Sequence, residues 1–228
     1  SQYGGPLEEI APDFPDTAFA WGTAVDTKGL DNVSAYTVRS DQGGYINGYL
    51  AAELSESGVI GVVGPIEVGD AKLYVDGFVN GTGTFADTTV NVNYIESFSD
   101  VALAAEAAQA HIQNGADVLT GTAQMVVGAT GVAGQTGDVL WFGTQSNQTA
   151  LGPDFVVASQ VYHWEVVLAE MMAAIDAGNF GGEVYTATLE NGGLEIELND
   201  ALATDEIQAI VDELVAGIID GSITTGVE

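Results

Sequence analysis

Short runs of β-branched and apolar residues recur along this chain, and between most of them lie longer stretches in which apolar side chains return every three or four positions. The runs Ala18 to Ala24, Val33 to Val38, Val59 to Val63, Asp117 to Leu119, Val139 to Phe142 and Phe155 to Val161 read as buried strands. In Val90 to Tyr94 the alternation with Asn91 and Asn93 predicts a half-buried strand. Ser40 and Asp41 can cap a helix that carries Tyr45, Tyr49, Ala52 and Leu54 and stops at Gly58. A second helix, capped by Asp70, turns Leu73, Gly77 and Phe78 inward. The clearest helical stretch runs from a Ser99 or Asp100 cap through alanine-rich turns to Ile112, and ends at Asn114 and Gly115. Trp164, Leu168, Met171, Met172 and Ile175 define another, and Thr204 to Asp220 a closing amphipathic one. Tyr3 to Asp16 reads as a loop, and Asn191 with Gly192 as the turn of a hairpin. Strands alternating with helices in this way predict an α/β fold built on mostly parallel sheet.

Charge changes the picture. Lys28, Arg39 and Lys72 are the three basic residues set against 33 acidic ones, a formal net charge of −30. Disorder requires low hydrophobicity as well as charge, whereas 46% of this chain is hydrophobic and its mean hydropathy is +0.21. The chain is therefore read as globular with a solvated acidic skin, the surface of a protein from a salt-loving organism. Screening lengths fall from roughly 10 Å at 0.1 M salt to about 3 Å at 1 M, so the folded state is expected to need salt. The other reading of the acids, affinity for Ca²⁺ or a cationic partner, fits dispersed carboxylates less well. Nucleic acid is excluded as a partner, because such a surface repels phosphate.

The sequence has no cysteine, which removes disulfides, thiolate metal sites and thiol nucleophiles. Its apolar stretches, such as Val59 to Ile66, fall far below the ~20 residues of a membrane span. The first residue is Ser1, without an initiator Met or a signal-like segment, so a processed product is expected, with any leader or lipid-anchoring cysteine upstream. No arrangement for catalysis, and no cofactor or metal motif, stands out. His111 falls mid-helix and His163 opens a helix, neither with a partner at ligand spacing, and both read as surface or cap residues. Gly128, Gly131, Gly134 and Gly137 recur every third position without a phosphate-loop ending, which suits close packing or a loose helix. Asp26 to Asn32 lacks the alternate spacing of a calcium loop and reads as a turn.

What remains is polar and aromatic material where strands end. In open α/β sheets ligands lie beyond the carboxyl ends of strands. Candidates there are Pro65 and Glu67, Phe98 and Asp100, Thr120 to Gln124, Gln145 to Gln148, and Tyr162. Amides and hydroxyls beside aromatic rings suit a neutral, flat, hydrogen-bonding ligand. The plainer reading is that these residues finish strands and cap helices.

The order of segments resembles the basic membrane protein family of substrate-binding lipoproteins, which serve ATP-driven importers of purine nucleosides. The resemblance is carried by PDFPDTAFAW, SDQGGYINGYLAAEL, GVIGVVGPIEV with DGFVNG, YIESFSD, HIQNGADVLTG, WFGTQSNQ with GPDFVVASQVYHW, and AGIIDGS, spread over most of residues 12 to 223. It implies a type I periplasmic-binding-protein fold: two doubly wound parallel-sheet lobes, joined by three crossing strands, that close on a small polar, nucleoside-like ligand in the cleft between them. Residues 1–39 and 160–187 would belong to the first lobe, incomplete here by about a hundred residues, and 40–159 with 188–228 to the second. It further implies a membrane permease as partner and a place outside the cell held by an upstream lipid; the want of any catalytic constellation sets enzymatic activity aside. The implied ligand set is Thr122, Gln124, Gln145, Ser146, Asn147 and Tyr162. Where members read GxDSD, this chain reads Gly143, Thr144, Gln145, Ser146, Asn147, so two carboxylates are amides. Carboxylates bind ribose hydroxyls about twice as strongly as neutral amides do. Tyr162 stands where members commonly carry Lys or Trp, which keeps a stacking ring without a charge. The altered motif and shortened first lobe leave open a second reading, a self-assembling surface protein on a binding-protein scaffold.

Overall fold

A computed structural model describes residues 3–227. In chain order its elements are α1 (Gly4–Ile10), β1 (Phe19–Gly22), β2 (Val33–Val38), α2 (Ser40–Leu54), β3 (Val59–Gly64), α3 (Gly69–Thr82), β4 (Thr89–Tyr94), α4 (Val101–Gln113) and β5 (Val118–Gly121). They continue with α5 (Val126–Thr136), β6 (Leu140–Gln145), β7 (Val156–Tyr162), α6 (Trp164–Asp176), β8 (Val184–Ala187), β9 (Leu194–Leu198) and α7 (Asp205–Asp220). The chain divides into two compact units, Ser1–Arg39 with Tyr162–Leu194, and Ser40–Val161 with Glu195–Glu228.

The first unit holds a three-stranded sheet in the order β1-β2-β8, parallel throughout. The segment Tyr3 to Asp16, expected as a loop, contains α1 and a 3-10 turn at Ala11–Asp13. Buried Asn32 explains the order there, since its amide donates to the carbonyls of Ala11, Phe14 and Thr17 at 2.9, 2.9 and 3.1 Å. A side chain twenty-one residues away supplies what local periodicity did not announce.

The second unit is built on a six-stranded sheet in the order β4-β3-β5-β6-β7-β9, and its β4-β3, β3-β5, β5-β6 and β6-β7 ladders are parallel. The two faces of this sheet are covered differently. Val63, Leu119, Trp141 and Val156 pack on one face against Ala104, Ala107, Ala108, Ala129 and Ala133 of α4 and α5, together with Met125. The other face meets α2 and α3, which touch each other through backbone. A Cβ on Gly44 or Gly48 would stand 2.4 or 2.1 Å from the carbonyl oxygens of Tyr74 and Phe78. A Cβ on Gly77 or Gly81 would stand 2.2 or 2.1 Å from those of Asp41 and Tyr45. Two glycine pairs, each spaced by four, therefore set the crossing of these helices.

Several expectations change. β8 pairs with β2 in one sheet and β9 lies in the other, so Asn191 and Gly192 redirect the chain without making a hairpin. Asn191 does build the turn, accepting from the backbone N–H of Thr188 and Gly193 at 2.9 and 3.0 Å. Turn residues fix a local reversal and not the partner of the strand that follows. β4 is an edge strand, and Asn91, Val92 and Asn93 are all exposed where half burial was expected. Asp70 lies in the first turn of α3, and Val68 occupies the cap position without a side-chain bond. The glycine-rich stretch forms α5, with Gly128 against the Val101 carbonyl and Gly134 against the Phe155 ring. His111 is buried, not a surface residue: its imidazole lies under Gly61 of β3, with Nε2 3.2 Å from the Val62 carbonyl.

Candidate functional site

The C-terminal tips of the second unit's strands carry an unusual backbone. Glu96 just past β4, Ala123 just past β5 and Gln145 at the end of β6 have φ of 57°, 75° and 70°. Non-glycine residues in the left-handed region are strained, and such strain concentrates where backbone geometry serves binding. Tertiary bonds hold these tips. The Met125 N–H donates to the Phe98 carbonyl at 3.1 Å, tying the β5 tip to the loop after β4. In that loop Ser97 Oγ accepts from the N–H of Asp100, and Asp100 in turn caps α4 by accepting from Ala102 and Leu103 at 3.1 and 3.0 Å. Asp100, a candidate for ligand contact, is thus engaged as a helix cap.

The loop after β6 is held most tightly. Gln148 is buried, and its Oε1 accepts from Trp141 Nε1 at 2.8 Å while its Nε2 donates to the Thr144 carbonyl at 2.9 Å. Its backbone N–H donates to Ser159 Oγ of β7 at 2.9 Å. Gly143 makes room for this latch, because a Cβ there would stand 2.7 Å from Ser159 Oγ and 2.9 Å from Gln148 Cβ. Between the fixed ends Thr144 and Gln148, the Gln145 side chain is half-buried and Ser146 and Asn147 are exposed. Asn147 Nδ2 donates to Glu197 of β9, and its Oδ1 accepts from the Thr149 N–H at 2.9 Å. An aspartate at 147 would confront the Glu197 carboxylate, so the amide turns a repulsion into a hydrogen bond.

The other expected residues lie as follows. Thr122, following β5, is fully buried, and its hydroxyl has no partner among the described residues. Gln124, two residues further, is exposed. Thr122 and the Gln145–Asn147 loop stand on neighbouring strands, joined by the bond from Thr144 Oγ1 to the Gly121 carbonyl at 3.1 Å. Tyr162 belongs to the first unit, where its buried ring meets Trp164 edge to face at 5.3 Å, and Trp164 meets Tyr36 in the same way at 5.3 Å. Past β3, Pro65 is buried and Glu67 accepts an ion pair from Lys72 at 3.4 Å. Lys72 pairs more closely with Asp76, at 2.7 Å. Beside them desolvation, with the nearby Asp76 and Glu67 carboxylates, pushes the Tyr94 phenol up to about 12 against the pull of Lys72. Tyr94 therefore stays neutral at any ordinary pH.

Sequence reasoning placed Gln148 in a candidate stretch without its role as the latch, and missed Trp141 and Ser159 as its partners. The only signal available was the spacing of Trp141 and Gln148 across the loop, which is not diagnostic alone. What the tips offer to solvent, the Gln124 amide, the Gln145 amide and the Ser146 hydroxyl, is a set of neutral donors and acceptors.

The parallel α/β units have the type I periplasmic-binding-protein-like fold. The family model for PnrA-like ABC transporter substrate-binding proteins matches residues 4–226, and the chain belongs to that family. It is 27% identical over 222 residues to a purine-binding protein of Brucella abortus, covering 97% of this chain and 62% of that protein. It is 29% identical over 218 residues to the ABC transporter nucleoside-binding protein BmpA of Lactococcus lactis, covering 86% and 61%. The chain thus spans about three-fifths of the length of these relatives. Among solved structures, an ABC transporter solute-binding protein of Aeropyrum pernix superposes with a TM-score of 0.82 at 19% identity, covering 97% of this chain and 74% of that one. Family membership favours the transporter reading over the self-assembling one. Among the described residues no helix is long and apolar enough to cross a membrane.

Proposed function

We propose that this chain is part of the extracytoplasmic solute-binding protein of an ABC importer, and that its ligand is a small, uncharged, hydrogen-bonding molecule of the nucleoside class. The observation that carries the reading is the tip of β6: a left-handed Gln145 followed by exposed polar side chains, on a loop fixed in advance by the Trp141–Gln148–Ser159 bonds. Preorganised polar groups on rigid strands bind with little ordering cost. Gln145, Ser146 and Gln124 supply neutral donors and acceptors to a ribose or a base edge. Thr122 and Asn147 support the same tips; within the first unit, Tyr162 stands in an aromatic series with Trp164 and Tyr36, rings of the kind on which a base stacks. The amides at 145 and 147 keep the binding of hydroxyls but weaken each bond relative to a carboxylate. They also avoid adding charge to a protein that already carries −30. Release to a membrane permease completes the transport role, with lipid anchoring outside the cell as its natural attachment.

Isothermal titration of the complete protein in molar salt with adenosine, guanosine and inosine tests this. Saturable heat with at least one is expected. No heat with any of the three overturns the nucleoside assignment.

A further inference from the structure

Three side chains wholly buried in the second unit carry polar atoms that find no partner among the described residues: Asn47 Oδ1, Thr122 Oγ1, and both Oε1 and Nε2 of Gln160. They surround one stretch of β6. Asn47, on α2, donates through Nδ2 to the Gly143 carbonyl at 3.2 Å, which places it over that strand. Thr144, the next residue, donates to the carbonyl of Gly121, immediately before Thr122. On its other side Thr144 stands opposite Gln160 in the β6–β7 ladder. Gly43, one turn before Asn47, closes the ring: a Cβ there would stand 2.4 Å from Gln160 Oε1, so the amide of Gln160 lies against bare helix backbone.

The neighbouring donors of Asn47 and Thr144 are not free to reach the orphaned oxygens. Asn47 cannot be flipped, because the Gly143 carbonyl accepts only and requires Nδ2 to face it. The Thr144 hydroxyl gives its proton to the Gly121 carbonyl, so it has none to offer Gln160 Oε1 or Asn47 Oδ1. Buried polar atoms almost always have a partner, and where the protein supplies none, ordered water with two to four bonds does so. We propose that Gln160, Asn47 and Thr122 hold a cluster of ordered internal water that ties the ends of β5 and β7 to the first turns of α2. Thr122 then acts from behind the β5 tip, steadying the strained Ala123 through water, and not as a direct ligand group.

A high-resolution crystal structure of the wild-type protein grown from molar salt, together with melting of Gln160→Met, Thr122→Val and the double variant, tests the cluster. Water within hydrogen-bond distance of Gln160 and of Thr122 is expected. Each single variant should lower Tm by roughly 2–4 °C, and the double variant by less than the sum, because both remove partners of the same waters. Two results overturn the proposal: a dry contact around Gln160 in the wild-type structure, or single variants whose effects on Tm add or are stabilising. The wild-type structure decides even where a variant fails to fold.

Discussion

The two faces of the six-stranded sheet solve the same problem by opposite means. Under α4 and α5 the core is dry and made of methyl groups: alanines of the helices interlock with Val63, Leu119 and Trp141, and space is filled by side chains. Under α2 and α3 it is tight and polar. Those helices meet backbone to backbone through Gly44, Gly48, Gly77 and Gly81, and the sheet below presents Thr120 and Gln160 among Val62, Phe142 and Ala158. A relay crosses this face, in which the Asn47 amide donates to Tyr74 Oη at 3.2 Å, Tyr74 lies 2.7 Å from Thr120 Oγ1, and Thr120 donates to the Phe142 carbonyl at 2.8 Å. Because the Thr120 proton goes to Phe142, the Tyr74 proton must go to Thr120, and the relay runs in one direction. Burial pushes the Tyr74 phenol up to about 12, so it remains a donor. A dry face tolerates exchange of one small apolar side chain for another, whereas a face fixed by backbone contact and directed bonds does not.

The largest effect should come from adding a single methyl group to the tight face. In Gly48→Ala the new Cβ would lie 2.1 Å from the Phe78 carbonyl oxygen, and neither helix can yield without disturbing the other glycine contacts. A loss of about 3 kcal/mol is expected, the upper end for overpacking. The converse change in the dry core, Ala108→Gly, should cost about 1 kcal/mol, mainly from helix propensity. Denaturant unfolding in molar salt measures both, and equal losses would erase the contrast between the faces.

Next in size is the relay. Thr120→Val keeps the shape but leaves the buried Tyr74 hydroxyl without an acceptor, and about 2 kcal/mol should be lost. Adding Tyr74→Phe removes the stranded hydroxyl, so the double variant should recover part of that loss even though it lacks more polar groups. A double variant no more stable than Thr120→Val would show that the relay is incidental to packing.

The difference between the faces also decides what could be read in advance. The elements were legible because apolar periodicity is local: β2 spans Val33–Val38 as expected, and α4 begins at its Asp100 cap. The candidate loop 145–147 was legible as polar residues after a strand. The polar face was not. Gln160 sits inside the run VVASQVY, where one amide among apolar neighbours carries no period, and its significance depends on Gly43, more than a hundred residues earlier. The latch on the β6 loop was hidden for the same reason, since Ser159 reaches Gln148 only through pairing of two strands. His111 was misread because a histidine in an alanine-rich helix looks solvent-facing until Gly61 opposite it is known to leave room for the ring.

His111 also gives the smallest and most selective way to separate the faces, because it places a titratable group in the otherwise apolar layer. Burial lowers its pKa from the ordinary 6.5, and the bond to the Val62 carbonyl only partly opposes this. That carbonyl accepts, so Nε2 carries the proton of the neutral ring. A group whose folded pKa is depressed contributes stability that is fully present above its unfolded value and is lost as pH falls through the folded one. Wild-type Tm should therefore hold steady above about pH 6.5 and decline below it, before carboxylates begin to titrate. In His111→Gln, which keeps a donor without a titrating ring, that decline should be smaller while Tm at pH 7.5 changes little. Comparing the two from pH 7.5 to 5.5 in molar salt isolates the dry face, since the directed relay on the other face, with Tyr74 raised to about 12, has nothing to titrate in that range. Parallel curves for the two proteins would mean that the imidazole is hydrated enough to charge in place, and the layer under α4 would then be less dry than its side chains imply.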